Sequence, residues 1–217
     1  PQKRNQKNHC SPLRYPGGKT FLSPFFDGVI KDNGLERVTY VEPFAGGAGA
    51  ALTLLLSGKV NRIVINDLDK AIYAFWKSAI FNSAKFIKKI HSTPVTIKEW
   101  RKQKAIYSNP KAGLFELGFA TFFLNRTNTS GILDGGPIGG LKQEGKYKIN
   151  ARFNKEKLAE RIYELSLYKN KISVFNKDGL ELINDYLNKK NTFIYLDPPY
   201  FEKGSSLYLN HYKKENH

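Results

Sequence analysis

The chain has 217 residues, 41% of them hydrophobic, enough for one well-buried core with a small attached lobe. With 35 Lys and Arg against 19 Asp and Glu, the net charge is +16 and the pI about 9.8, a balance suited to a phosphate-rich partner. A single cysteine, Cys10, excludes intrachain disulfides and cysteine metal clusters, and 4 scattered histidines have no ligand spacing, so no metal is expected.

Residues 1–9 are polar and basic, with no apolar h-region, and no later run approaches the ~20 apolar residues of a membrane span. Neither insertion nor secretion is expected, which points to the cytoplasm. Val38-Thr39-Tyr40-Val41 reads as the first strand. It leads into Glu42-Pro43-Phe44-Ala45-Gly46-Gly47-Ala48-Gly49 and then a helix over residues 50–56. Glycines in such a turn let a ligand approach the backbone, and the helix start offers free N–H groups to a carboxylate. The turn has neither G-x-G-x-x-G nor the Lys-Ser/Thr of a phosphate loop, which disfavours a dinucleotide or nucleoside triphosphate. Alone, it could be an ordinary strand-to-helix turn.

A second strand, residues 62–67, ends in Asp67 about 20 residues after the glycines, where a carboxylate can bind ribose hydroxyls. Asp69 competes for that role, and either acid could cap the helix over 70–82; Asp67 is preferred because it lies nearer the strand end. Residues 83–153 contain helical stretches at 96–107 and 111–126, then a polar, Gly-rich loop through Asp134-Gly135-Gly136-Pro137. Arg126, Asn128, Lys142, Lys146, Lys148 and Arg152 make this region basic and suited to phosphates and base edges, although each side chain alone could equally be solvated surface. A third strand at 172–175 precedes Asp178, which is either a ligand contact or the N-cap of a helix over 179–187.

The run 192–196 reads as a buried strand that delivers Asp197-Pro198-Pro199-Tyr200. Each proline holds the residue before it extended, so Asp197 and Pro198 are fixed with their acceptors free. The Asp197 carboxylate and the Pro198 carbonyl could each take one hydrogen of a planar exocyclic amine, drawing its lone pair toward an electrophile, while Tyr200 stacks on the ring. A plain Pro-Pro turn is the competing reading. Strands alternating with helices predict an α/β fold, a doubly wound and mainly parallel sheet covered on both faces, with ligands at the carboxyl ends of the strands.

Four segments in one order resemble the motifs of the Dam-like DNA adenine methyltransferases. They are Ser11-Pro12-Leu13-Arg14-Tyr15-Pro16-Gly17-Gly18-Lys19, Val41-Glu42-Pro43-Phe44-Ala45-Gly46-Gly47-Ala48-Gly49, Phe122-Phe123-Leu124-Asn125-Arg126-Thr127 and Asp197-Pro198-Pro199-Tyr200. The resemblance implies a Rossmann-like methyltransferase fold and transfer of a methyl group from S-adenosylmethionine to the 6-amino group of adenine in a specific sequence of double-stranded DNA. It puts Tyr15, Gly17, Gly18 and Lys19 beside the methyl donor, although Lys19 could simply be solvated. Glu42, Phe44, Gly46, Gly47 and Gly49 would hold the donor's methionine part, Asp67 its ribose and Asp178 its adenine. Asp197, Pro198 and Tyr200 would serve the target base, flipped out of the duplex. Arg126, Asn128, Lys142, Lys146 and Arg152 would contact DNA.

The expected domains are a catalytic unit of residues 1–82 and 154–217 and an inserted, mostly helical target-recognition lobe of residues 83–153. The family pattern continues well beyond Tyr200, whereas only 17 residues follow it here, so the C-terminal part of the fold is expected to be missing; were these residues the complete chain, the strand before Asp197 could be exposed on one edge. A cognate restriction enzyme is a candidate partner; the oligomeric state is open. The rival readings are an RNA or protein-amide methyltransferase, the latter disfavoured by the Asp in place of Asn, and a non-catalytic DNA-binding remnant.

Overall fold

The computed structural model describes residues 11–14 and 20–198. Four strands, β1 (Thr39–Glu42), β2 (Arg62–Asn66), β3 (Ile172–Phe175) and β4 (Thr192–Ile194), form a sheet of order β3-β2-β1-β4 in which every pairing is parallel. Order and direction are those of a Rossmann-like α/β fold.

Alternation along the strands sorts their side chains between two layers. On one face, Tyr40, Ile63, Ile65, Ile172 and Val174 join the main core, together with α1 (Ser23–Asp32), α2 (Gly49–Leu56) and α3 (Lys70–Phe81). On the other, Val41 and Val64 pack with Leu182 of α8 (Gly179–Tyr186). Among the described residues coverage is therefore unequal: the second face carries one short helix, whose Leu182 is fully buried.

The remaining helices are α4 (Ser83–Ser92), α5 (Ile97–Tyr107), α6 (Leu114–Thr127) and α7 (Lys155–Leu167). From Leu117 to Asn125 every residue of α6 is buried, the mark of a helix surrounded by protein. Phe122 stacks on Phe75 of α3 at 5.9 Å and 7° and meets Phe86 of α4 and Phe153 edge-on. Gly118 makes this packing feasible, because a Cβ there would lie 2.3 Å from the Ala74 carbonyl oxygen. The helices of residues 83–127 thus share one apolar core with the sheet.

The terminal strand departs from expectation. Read as buried over 192–196, β4 is three residues long and half-buried throughout. Among the described residues it pairs with β1 alone, while Leu196 is half exposed. Its two apolar side chains meet both layers: Phe193 stacks on Tyr40 at 5.7 Å and lies against Phe26, while Ile194 packs with Val41 and Val64.

Candidate active site

The turn after β1 is built by a clasp that local sequence rules do not reveal. Asn66, at the end of β2 and 1% exposed, donates from Nδ2 to the carbonyls of Pro43 and Lys177, both at 2.9 Å, and accepts from the Lys177 N–H at 2.9 Å. One amide thereby ties the ends of β1, β2 and β3 together. The turn itself needs left-handed backbone at Gly46 (φ 46°) and Ala48 (φ 47°), the latter at a cost of about 1 kcal/mol for a residue with a Cβ. Trp76 of α3 donates its indole N–H to the Gly46 carbonyl at 2.9 Å and pins the bend.

Two acids flank this turn. Asp67 accepts the Gly46 N–H at 3.0 Å on one oxygen and the Asp69 N–H at 2.9 Å on the other, leaving lone pairs on both for a diol. Asp69 instead accepts from Ala71 at 2.7 Å and caps α3, which separates the two acids by job. Desolvation pushes Asp67 up to about 7, against the opposing pull of those backbone N–H groups.

Glu42 lies on the other side of the turn, 5% exposed. It accepts the Tyr40 hydroxyl at 2.9 Å and is further held by the backbone N–H of Ala51 in the first turn of α2. A carboxylate at a helix start is well placed electrostatically. Burial nevertheless raises Glu42 to about 7, and the nearby charge of Asp197 adds to the rise. Two desolvated carboxylates poised near neutrality beside a Gly-rich turn fit a cationic nucleoside.

Phe44 completes the turn by lying against Gly179, where a Cβ would come within 2.5 Å of its ring. Asp178 accepts the Leu180 N–H at 2.8 Å and caps α8 while standing at the carboxyl end of β3.

The strand register brings Asp197 and Pro198 to this corner. Val41 pairs with Ile194, and the Tyr195 N–H donates to the Val41 carbonyl at 2.9 Å, so Asp197 and Pro198 emerge at the same sheet end as Glu42. Asp197 is half-buried and close enough to act electrostatically on both Glu42 and Tyr40. Tyr200, Tyr15, Gly17, Gly18 and Lys19 lie outside the described residues.

Residues 15–217 match the family model of D12 class N6 adenine-specific DNA methyltransferases. The chain belongs to this family. A curated relative, the type II methyltransferase M.CviBI of Paramecium bursaria Chlorella virus NC1A, is 23% identical over 196 residues, covering 87% of this chain and 68% of the relative. The protein is accordingly an adenine-specific DNA methyltransferase with a Rossmann-like fold. Among its described residues no helix is long and apolar enough to cross a membrane, and no cluster of side chains is arranged to hold a metal ion.

In this methyltransferase the basic region expected to meet DNA divides into two kinds of residue. Lys142, Lys146 and Arg152 are exposed. Asn128, by contrast, is fully buried, and its side chain is bonded within the protein. Its Oδ1 accepts the Trp100 indole N–H at 2.7 Å, and its Nδ2 donates to the carbonyls of Ile132 and Leu133 at 2.8 and 3.0 Å. Asn125, one turn earlier, receives the Arg14 N–H at 2.7 Å and donates to the Arg14 and Gly131 carbonyls at 2.7 and 3.0 Å. Together these amides fasten the loop start to α5, α6 and the segment before residue 15. Arg126 is mostly enclosed and donates from Nε to the Arg152 carbonyl at 2.9 Å.

Proposed function

We propose that this methyltransferase takes its methyl group from S-adenosylmethionine and places it on N6 of an adenine flipped out of duplex DNA, with residues 83–153 supplying target recognition. The observation that carries the reading is the parallel β1–β4 pairing, which puts Asp197 and Pro198 beside the Glu42–Gly49 turn. S-adenosylmethionine, when bound, supplies an electrophilic methyl on a sulfonium. Glu42 and the turn through Phe44, Gly46, Gly47 and Gly49 would hold its methionine end, Asp67 its ribose and Asp178 its adenine, with Tyr15, Gly17, Gly18 and Lys19 as further donor contacts.

On the target side, the Asp197 carboxylate and the Pro198 carbonyl each accept one N6 hydrogen. This aims the nitrogen lone pair out of the ring plane and weakens its conjugation. Tyr200 replaces the stacking that the flipped base loses. Holding both partners in line accounts for much of the rate. Flipping is required because a paired, stacked N6 is out of reach.

Transfer of labelled methyl from S-adenosylmethionine to duplex DNA, RNA and protein tests the assignment. Label should enter duplex adenine only, and Asp197→Ala should abolish it while donor affinity stays near that of the parent. Label in RNA or protein, or near-normal DNA methylation by Asp197→Ala, would overturn it.

A further inference from the structure

Four arginines from four separate stretches of the chain converge beside the recognition loop. Arg126 closes α6, Arg152 ends the 3-10 turn Ile149–Arg152, Arg14 lies just before residue 15, and Arg161 projects from α7. Each guanidinium whose bonds are fixed is tied to a backbone carbonyl. Arg126 Nε donates to Arg152 at 2.9 Å, Arg14 Nη1 to Asn128 at 3.1 Å and Arg161 Nη1 to Ser11 at 3.2 Å. Among the described residues none of the four forms an ion pair with an acid, although five such pairs occur elsewhere.

The cost of this arrangement is visible. Desolvation lowers Arg126 to about 10, and repulsion from Arg161, Arg14 and Arg152 contributes in that order. Arg14 is lowered for the same two reasons, burial first and then Arg152. Like charges gathered in a partly enclosed place repel unless an anion joins them. Guanidinium forks with donors to spare match the oxygens of a phosphate.

We propose that Arg14, Arg126, Arg152 and Arg161 form a clamp for a DNA backbone phosphodiester at the edge of the recognition loop. The clamp rests on the proposed duplex substrate and adds to it two residues, Arg14 and Arg161, that lie outside residues 83–153. A backbone phosphate is favoured over the donor's carboxylate because the cluster is built around the end of α6 and the loop. The donor turn stands instead at the ends of β1 and β2. Phosphate contacts carry no base information, so the clamp sets register and affinity rather than sequence choice.

Binding of a cognate and a scrambled duplex, each titrated over a range of salt, tests the clamp in the full chain. Arg161→Gln should weaken both duplexes by the same factor, about tenfold, and lower the slope of log K against log salt by about 1. Arg161→Lys should keep the slope while losing part of the affinity, since a lysine preserves charge but not the fork. Lys171→Gln, an exposed change at the amino end of β3, should leave both duplexes as tightly bound as before. Unchanged affinity and slope in Arg161→Gln would overturn the clamp, as would a loss confined to S-adenosylmethionine or to the cognate duplex. Failure of the parent protein to bind any duplex would instead strike the proposed function.

Discussion

Tyr40 and Glu42 stand two residues apart on the same face of β1, and the phenol donates to Glu42 Oε1 at 2.9 Å with neither side chain open to water. Tyr40 also stacks on Phe193 of β4, so one side chain links Glu42, at the start of the Gly-rich turn, to the strand that carries Asp197. Its hydroxyl is held protonated, chiefly by burial and then by the Glu42 charge. The bond is one of two that oppose the desolvation of Glu42.

Removing it should therefore make Glu42 harder to ionise. Tyr40→Phe is expected to move the pH midpoint for S-adenosylmethionine affinity upward from its parent value and to cost about 1–2 kcal/mol of stability. Calorimetric titration of the donor across a pH series checks this. A midpoint that stays where it was separates Tyr40 from the donor site.

Stability should fall as pH rises through neutrality in the donor-free protein. Burial raises Glu42 from 4.5 to about 7 and Asp67 from 3.8 to about 7, so in that window the folded chain holds protons that the unfolded chain releases. The favourable contribution is complete below the unfolded values and disappears as pH passes the folded ones. Urea midpoints measured across the window should decline for the parent and decline less for Glu42→Gln. Equal slopes for the two would remove Glu42 from the linkage. Adding donor should reduce the decline, because a bound cation favours both carboxylates ionised.

The same substitution at two helical glycines should have opposite signs. Gly28 in α1 has nothing within 4 Å of an added Cβ, so Gly28→Ala should stabilise by about 0.5–1 kcal/mol. At Gly118 the new Cβ would lie 2.3 Å from the oxygen and 2.7 Å from the carbon of the Ala74 carbonyl, backbone that cannot rotate away. Gly118→Ala should cost about 1–3 kcal/mol despite the better helix propensity of alanine. Thermal melting decides, and a stabilised Gly118→Ala would mean that α3 and α6 part without penalty.

Asn128 and Lys146 should fail in different ways. Asn128→Ala strands the Trp100 indole N–H and the carbonyls of Ile132 and Leu133, for a loss of about 2 kcal/mol or more together with weakened DNA binding. Lys146→Ala should change stability by less than about 0.5 kcal/mol and reduce the salt slope of duplex binding by about 1. Denaturation curves run beside binding titrations separate the two. Asn128→Ala with parental stability would return that residue to the surface role expected from the loop's polarity.

Much of this protein is legible in its residues alone, for local reasons. β3 runs over the predicted 172–175 and β2 ends one residue short of the predicted Asp67, because branched and aromatic runs stopped by polar residues define a strand wherever it is placed. The Gly-rich turn and its helix are likewise written in adjacent residues. Helix α7 is local in the same way, with Leu158, Ala159, Ile162 and Leu165 carrying its period and Asn154 its cap. Asp69 capping α3 and Asp178 capping α8 were open alternatives that spacing could not close, since a cap and a ligand contact want the same acid at the same place. What folding alone decided is which polar groups meet. Asn66 becomes a clasp and Asn128 a buried latch because partners dozens of residues away arrive at them, and an amide beside a turn gives no local sign of that. The gathering of Arg14, Arg126, Arg152 and Arg161 has the same origin. Chain order spaces those charges far apart, and only packing of α7 and the loop around α6 brings them near enough to repel.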